Sequence, residues 1–394
     1  MELLRALKAV LTDPLLACLM LICAVLATLT VLQYFRAIRP RRGTTEWMQK
    51  VDAKSFQPLR LHRLGAADGI WAILVALCAA CLRFCYLFFG LQLHRRPNAM
   101  SILAAAQNAF LQRIILCALF ALGIYFAVRL LFGRPLPAIC AAIIGAMLQN
   151  RNNDTAALLS LSLLFFLCWM NCSYTGGVLR GIWLVLSLAA YALCLPGCWE
   201  CAWLSPFYVI GYFVILVLRF RGGKPKKRVW KLILSLLTML LMVPVACVML
   251  WIVYAHLSGR AEGGILTAMR TFAFYKQMLP VAKDKLYSLL SQRVGLLSYL
   301  MIYECFLLLL GGTACIPLLH GVFSQKDSSA LLLLIVLVAY LFLWVISGVY
   351  LLGIPLLLLL GKLWSIFCQR ESCSFTVLSS CLLLALSIAC MIII

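Results

Sequence analysis

The charged residues of this chain lie in short clusters, and apolar runs of about twenty residues separate the clusters. A helix of that length crosses the hydrocarbon core of a bilayer. Of the 394 residues, 65% are hydrophobic and only 12% are charged, so no stretch is polar enough to fold as a separate soluble domain. The sequence therefore predicts a polytopic membrane protein.

The apolar runs predict an all-α fold with about twelve transmembrane helices, because only a helix satisfies every backbone polar group within one segment in hydrocarbon. The run at 12–35 is too long for a signal peptide, and we expect it to remain as an N-terminal membrane helix within residues 1–35. A basic linker over 36–67 and a transmembrane domain over 68–394 follow. The predicted spans are 12–35, 68–92, 111–132, 136–149, 154–171, 179–196, 200–218, 230–256, 296–320, 329–346, 350–366 and 374–394.

The net charge of +22 indicates membrane topology. Segment 36–67 carries eight basic residues against two acids, and segment 219–231 carries seven basic residues and no acid. The positive-inside rule places both segments in the cytoplasm, and the six spans between them return the chain to that side. The outward connections are then 93–110, 150–154, 197–200 and 257–295. Anionic lipid head groups account for the basic loops, so we expect membrane lipids as partners and no nucleic acid.

The longest outward connection, 257–295, has apolar residues at near-helical spacing with basic residues such as Lys276 between them. This pattern is typical of a helix that lies flat on a membrane surface. Two interpretations stay open: the loop floats at the interface, or it caps an active site.

Most of the nineteen cysteines lie within apolar runs, where a thiol behaves as a small hydrophobic group. Cys194, Cys198 and Cys201 have a spacing that iron–sulfur proteins also use, but no fourth ligand is near in sequence. The four histidines are widely separated. We therefore predict no metal site built from cysteine or histidine.

Twelve acidic residues are few enough to consider one by one, and three are informative. Asp68 lies where a helix enters the membrane, and capping of that helix explains it. Glu304 lies within a predicted span, which makes it a possible intramembrane polar site unless the span ends before it. Asp154 begins an outward helix, where capping is sufficient. An acid beside Arg151 and three amides can also hold a divalent metal ion or a phosphate-bearing donor.

Three stretches of the chain share their order and character with one membrane enzyme family. They are Arg63 to Asp68 with the following Leu82-Arg83-Phe84, then Tyr125 to Arg134, and Asn150 to Thr155. With these stretches, residues 60–260 resemble the GT-C superfamily of integral-membrane glycosyltransferases, which includes protein O-mannosyltransferases and aminoarabinose transferases. The resemblance makes 68–394 a divergent GT-C-like domain.

The resemblance implies a transferase that takes a sugar from a polyprenyl-phosphate carrier and gives it to an acceptor on the extracytoplasmic face of a bacterial plasma membrane. Asp154 matches an outward acid of the family and is the candidate catalytic base. The candidate contacts to the donor phosphate are Arg151, Arg95, Arg96 and Lys276.

The chain departs from the family pattern in its first outward loop. There the family carries a catalytic acid, but Leu91 to Ala109 contains none. Either Asp154 or another outward acid supplies the base, or the chain has the fold without the activity. A transporter or lipid flippase that uses Glu304, and a non-catalytic membrane scaffold, are the alternatives, although no inverted repeat supports a transporter.

Overall fold

The computed structural model describes residues 14–38, 59, 61–93, 107–147, 153–172, 178–194, 198, 201, 204, 206–208, 210–211, 213–214, 311–347, 351–370 and 374–393. Regular structure in these residues is helical, and they contain no β-strand. The all-α prediction is therefore confirmed for the described part of the chain, whereas the total of twelve spans stays a prediction.

Most of the described helices follow the predicted apolar runs with small shifts of their ends, whereas the predicted spans 200–218 and 296–320 are described only in part. The described helices are α1 Pro14–Ile38, α2 Ala66–Leu93, α3 Gln107–Phe132, α4 Pro135–Met147, α5 Asn153–Cys172, α6 Val178–Cys194, α7 Gly311–Phe323, α8 Ser328–Ser347, α9 Gly353–Arg370 and α10 Ser374–Ile393. The predicted span 230–256 and the outward connection 257–295 lie outside the described residues.

Three of the described helices contain segments long and apolar enough to cross a membrane: Ala66–Cys85, Leu111–Phe132 and Ser328–Val345. Shorter apolar stretches occur in α4, α5, α6, α7 and α9. The helix α4 has 13 residues, about 20 Å at 1.5 Å per residue, so it is shorter than the hydrocarbon core is thick.

The turn between α3 and α4 is fixed by residue type. Gly133 follows the last residue of α3 with a φ of 74°, and its N–H bonds to the Arg129 carbonyl at 2.9 Å. A left-handed glycine is the usual residue at this position after a helix. Pro135 then begins α4. At the first position of a helix the backbone N–H has no intrahelical partner, so a proline, which has no N–H, costs nothing there. The two helices therefore reverse direction within two residues.

The centre of the bundle is α9. Every residue from Leu351 to Ser365 is buried, and α9 packs against α4, α3, α8, α1 and α10. A second group is formed by α2, α3 and α4, with α5 against α3 and α6 against α5. Glycine allows α9 to approach α3 closely, because a Cβ on Gly361 of α9 would lie 2.6 Å from Val128 Cγ1 of α3.

Large apolar side chains cover the outward faces of α1, α2 and α6. Exposed examples are Leu21 and Phe35 on α1, Ile70 and Leu77 on α2, and Val185 on α6. A soluble monomer does not leave contiguous apolar surface of this kind to water, whereas lipid covers it at no cost.

Candidate functional site

One end of the bundle is held by a buried ion pair between α2 and α3. Asp68 Oδ1 accepts from Arg129 Nε at 2.7 Å and from the Tyr125 hydroxyl at 3.3 Å. The exposed fractions of the two charged side chains are 6% for Asp68 and 16% for Arg129. Asp68 Oδ2 also accepts the Gly65 N–H at 2.7 Å, as an acid in the first helical turn does in a capping box. Asp68 therefore has the capping role that the sequence predicted, and a second role in charge pairing.

A second ion pair joins the start of α8 to α9. Asp327 Oδ2 accepts from Lys362 Nζ at 2.7 Å and from the Ser329 hydroxyl at 2.8 Å. Asp327 Oδ1 accepts the Ser329 N–H at 2.9 Å, which caps α8. Burial alone raises the pKa of Asp327, but the Lys362 ammonium and the Ser329 donors outweigh it and hold that pKa below its usual value.

Both ion pairs lie at the same level of the bundle. Val128 contacts Gly361, so the next residues, Arg129 and Lys362, are at equal height on the adjacent helices α3 and α9. One turn further, the Ser365 hydroxyl lies 3.5 Å from the Phe132 carbonyl. We call this end of the molecule the ion-pair end. The sequence predicts that it faces the cytoplasm.

A buried arginine lies toward the opposite end. Arg83 of α2 is only 7% exposed, and it lies one helical turn beyond Ala79. The Cys117 thiol lies 3.9 Å from the Ala79 carbonyl and 3.5 Å from the Ala146 carbonyl, and the charge of Arg83 acts on that thiol. Arg83 is therefore buried about one turn outward of the level at which Cys117 joins α2, α3 and α4. Arginine stays charged in proteins, so its burial among apolar helices is costly and marks a candidate site.

Asp154 lies in the first turn of α5, at the end of that helix remote from the ion pairs. Helices α3 and α5 touch where Gly123 meets Ser160. The end of α4 lies beside Cys117 of α3, and the chain reaches the start of α5 within six residues, which favours a parallel orientation of α3 and α5. Six residues back from this contact, about 9 Å along each axis, stand Cys117 on α3 and Asp154 on α5. The start of α5 is therefore at the level of Cys117, about one helical turn from the level of Arg83.

The remaining residues of the predicted site lie outside the described part of the chain. These are Arg95, Arg96, Arg151, Lys276 and Glu304. The backbone of Asp154 is described, but the position of its carboxylate is not. Their roles at the donor phosphate, and that of Glu304 within the membrane, stay predictions.

The cysteine trio forms part of a helix end. Cys194, Cys198 and Cys201 are all buried, and the Tyr191 hydroxyl donates to the Cys201 carbonyl at 2.7 Å. No disulfide joins the described cysteines, and no group of three metal-ligating side chains converges among the described residues. Cys194, Cys198 and Cys201 belong to the buried apolar core.

The sequence did not predict the ion pairs that Arg129 and Lys362 each form with an aspartate, nor the burial of Arg83. All three residues lie inside predicted spans, namely 111–132, 350–366 and 68–92. A basic residue within an apolar span requires a partner or a polar environment, so the sequence indicates that each of these residues has one. The sequence does not indicate which acid is the partner, because Asp68 and Asp327 are 61 and 35 residues away in the chain.

The helices and their apolar surfaces define the class of protein: the described chain is an all-helical protein with helices suited to span a membrane. Comparison of the chain with family models, with curated proteins and with solved structures gives no match.

Proposed function

We propose that this chain is a GT-C-like glycosyltransferase of about twelve spans in a bacterial plasma membrane. It moves a sugar from a polyprenyl-phosphate donor to an acceptor on the extracytoplasmic face. The observation that carries the proposal is buried Arg83, which stands within about one helical turn of the level of the α5 start, away from the end that the basic loops assign to the cytoplasm.

Positive charge at this place suits the departure of a lipid phosphate. Cleavage of the bond between sugar and phosphate leaves negative charge on the phosphate oxygens. A guanidinium fixed in a low-dielectric layer stabilises that charge more strongly than one in water. Arginine also binds phosphate through two parallel N–H···O bonds. Arg83 therefore joins Arg151, Arg95, Arg96 and Lys276 as a candidate donor contact.

Asp154 is the proposed general base. An outward carboxylate at the start of α5 can take the proton of the acceptor hydroxyl or amine as that group attacks the sugar. A donor with a polyprenyl tail reaches such a position from the lipid between helices, without crossing the membrane.

The ion-pair end brings together two of the stretches on which the resemblance rests. Asp68 belongs to the first stretch that resembles the GT-C superfamily, and Tyr125 and Arg129 belong to the second. These two stretches, nearly sixty residues apart, are in direct contact through the Asp68 carboxylate. Two segments that each resemble the GT-C superfamily in sequence are thus in contact in the fold.

The test is transfer from labelled polyprenyl-phosphate sugars by the purified full chain, with bacterial membranes as the acceptor source. We expect Asp154→Asn and Arg83→Gln each to lower the rate at least about a hundredfold, as loss of a base or of a phosphate-stabilising charge does. Arg113→Gln removes an exposed arginine from α3 and is the matched control, with an unchanged rate.

Full activity of Asp154→Asn would remove Asp154 from the site. Movement of the labelled lipid across a vesicle membrane without transfer of its sugar would instead identify a flippase, and the proposal would be wrong.

A further inference from the structure

Unpaired positive charge accumulates at the ion-pair end. The acids that the structure describes there are Asp68 and Asp327, and each already has a basic partner at 2.7 Å. Arg63 and Arg134 are exposed at the same end. Neither ion pair neutralises these two arginines, so the surface beside the helix ends is basic.

The two chain segments that carry these arginines are in direct contact. The His62 N–H bonds to the Leu130 carbonyl at 2.8 Å, which fastens the segment before α2 to the last turn of α3. The His62 ring covers Gly133 so closely that a Cβ on this glycine would lie 2.7 Å from the ring. Arg63 follows His62 and Arg134 follows Gly133, so both arginines project from a backbone arrangement that is fixed before any ligand arrives.

The histidine adds a hydrogen-bonding group to this surface. Partial burial of the ring, together with the nearby charge of Arg129, lowers the pKa of His62 below its usual value. The imidazole is therefore neutral at pH 7, and one of its ring nitrogens is an N–H donor.

The position of the arginines along the bundle is that of a membrane surface. Arg63 precedes the candidate span Ala66–Cys85, and Arg134 follows the candidate span Leu111–Phe132. Leu64 and Trp71 are exposed beside them, with 43% and 42% of their surface accessible. Exposed tryptophan near a helix end is typical of the layer where lipid head groups meet the hydrocarbon.

We propose that His62, Arg63 and Arg134 form a binding site for the head group of an anionic phospholipid. The two guanidinium groups bind the phosphodiester, while Leu64 and Trp71 contact the upper part of the acyl chains. A phosphodiester offers planar pairs of acceptor oxygens that match the fork of an arginine side chain. The site does not depend on the glycosyltransferase proposal, because it lies at the opposite end of the helices.

The test uses the purified full chain in neutral detergent, with phosphatidylglycerol titrated in and the unfolding temperature recorded. We expect phosphatidylglycerol to raise that temperature and phosphatidylcholine to leave it nearly unchanged. In Arg63→Gln/Arg134→Gln the half-maximal lipid concentration should rise by roughly thirtyfold, since each basic residue at an anionic surface contributes a several-fold gain in affinity.

Two further variants separate charge from fold. Arg63→Lys/Arg134→Lys keeps the charge and should retain most of the response, and Arg113→Gln removes an exposed arginine near the other end of α3 and should retain all of it. The unfolding temperature without lipid reports whether each variant is folded. Equal responses to both lipids, or a double glutamine variant that titrates like the parent, would overturn the proposal. The same response to inorganic phosphate would also overturn it, because a free anion would then be the ligand.

Discussion

A basic residue inside a predicted span indicates that an ion-pair partner exists, but not which residue it is. Lys362 lies in an apolar run, and burying its ammonium without a partner would cost several kcal/mol. That cost predicts a partner but not which one. Asp327 becomes the partner only when the end of α7 turns into α8 beside α9. Asp68 was predictable as a helix cap because capping is local, whereas its pair with Arg129 depends on how α2 and α3 pack.

Loss of the hydroxyl group should change the free energy of unfolding differently at two buried tyrosines. Tyr125 donates to the Asp68 carboxylate at 3.3 Å, whereas the buried Tyr340 hydroxyl lies near the Tyr208 hydroxyl without forming a hydrogen bond of good geometry among the described residues. We expect Tyr125→Phe to lower the free energy of unfolding by about 1–2 kcal/mol, because it leaves a buried charge with one donor fewer. Tyr340→Phe should change the free energy of unfolding by less than about 0.5 kcal/mol or increase it, because it removes a buried hydroxyl that forms no hydrogen bond of good geometry.

Denaturant unfolding of both variants in the same detergent provides the measurement, and the two substitutions remove the same atom from similarly buried sites. A loss of stability in Tyr340→Phe as large as that in Tyr125→Phe would show that the Tyr340 hydroxyl is satisfied in the folded protein.

At the scale of elements, the helices were predictable because their signals are local. Apolar runs set the helix positions, and Gly133 and Pro135 set the turn between α3 and α4. The central position of α9 was not predictable. A helix buried among other helices and a helix that faces lipid are both apolar on all sides, so composition does not separate them. The contacts of Gly361 with Val128 identify the buried case, and these residues are distant in sequence.

Two helical glycines should show this difference in environment. A Cβ on Gly361 would lie 2.6 Å from Val128, whereas a Cβ on Gly181 of α6 would meet nothing within 4 Å. We expect Gly361→Ala to destabilise the protein by about 1–3 kcal/mol through overpacking between α9 and α3. Gly181→Ala should stabilise it by about 0.5–1 kcal/mol, because alanine loses less backbone entropy than glycine in a helix.

The free energy of unfolding of the two alanine variants is the readout, and each is the other's control for the added methyl group. If Gly361→Ala were as stable as the parent chain, the close packing of α3 on α9 would be wrong.

For the whole molecule, contacts between helix ends can be compared with the predicted topology. Tyr34 bonds to His320 at 3.2 Å, and Ser365 lies against Phe132. Each contact joins residues that the positive-inside rule assigns to the cytoplasmic side or to the adjoining end of a span. These contacts agree with the topology that the charge pattern predicts, and the topology itself stays a prediction. The charge pattern did not predict the layer that contains Arg83, because burial of one arginine depends on the packing of several helices.

The orientation of the molecule in the membrane is the last prediction, and the site depends on it. With 36–67 and 219–231 in the cytoplasm, position 154 lies on the outside and position 226 on the inside. A reporter that is active only in the cytoplasm should give signal when inserted after Lys226 and none when inserted after Asp154, and a reporter active only outside should give the reverse. Insertion after Arg134, in the turn beyond α3, should behave like insertion after Lys226 and serves as an independent position at the ion-pair end. Signals from 154 and 226 in the same compartment would place the proposed base on the side of the basic loops, and transfer from a lipid-linked donor on the extracytoplasmic face could not then use Asp154.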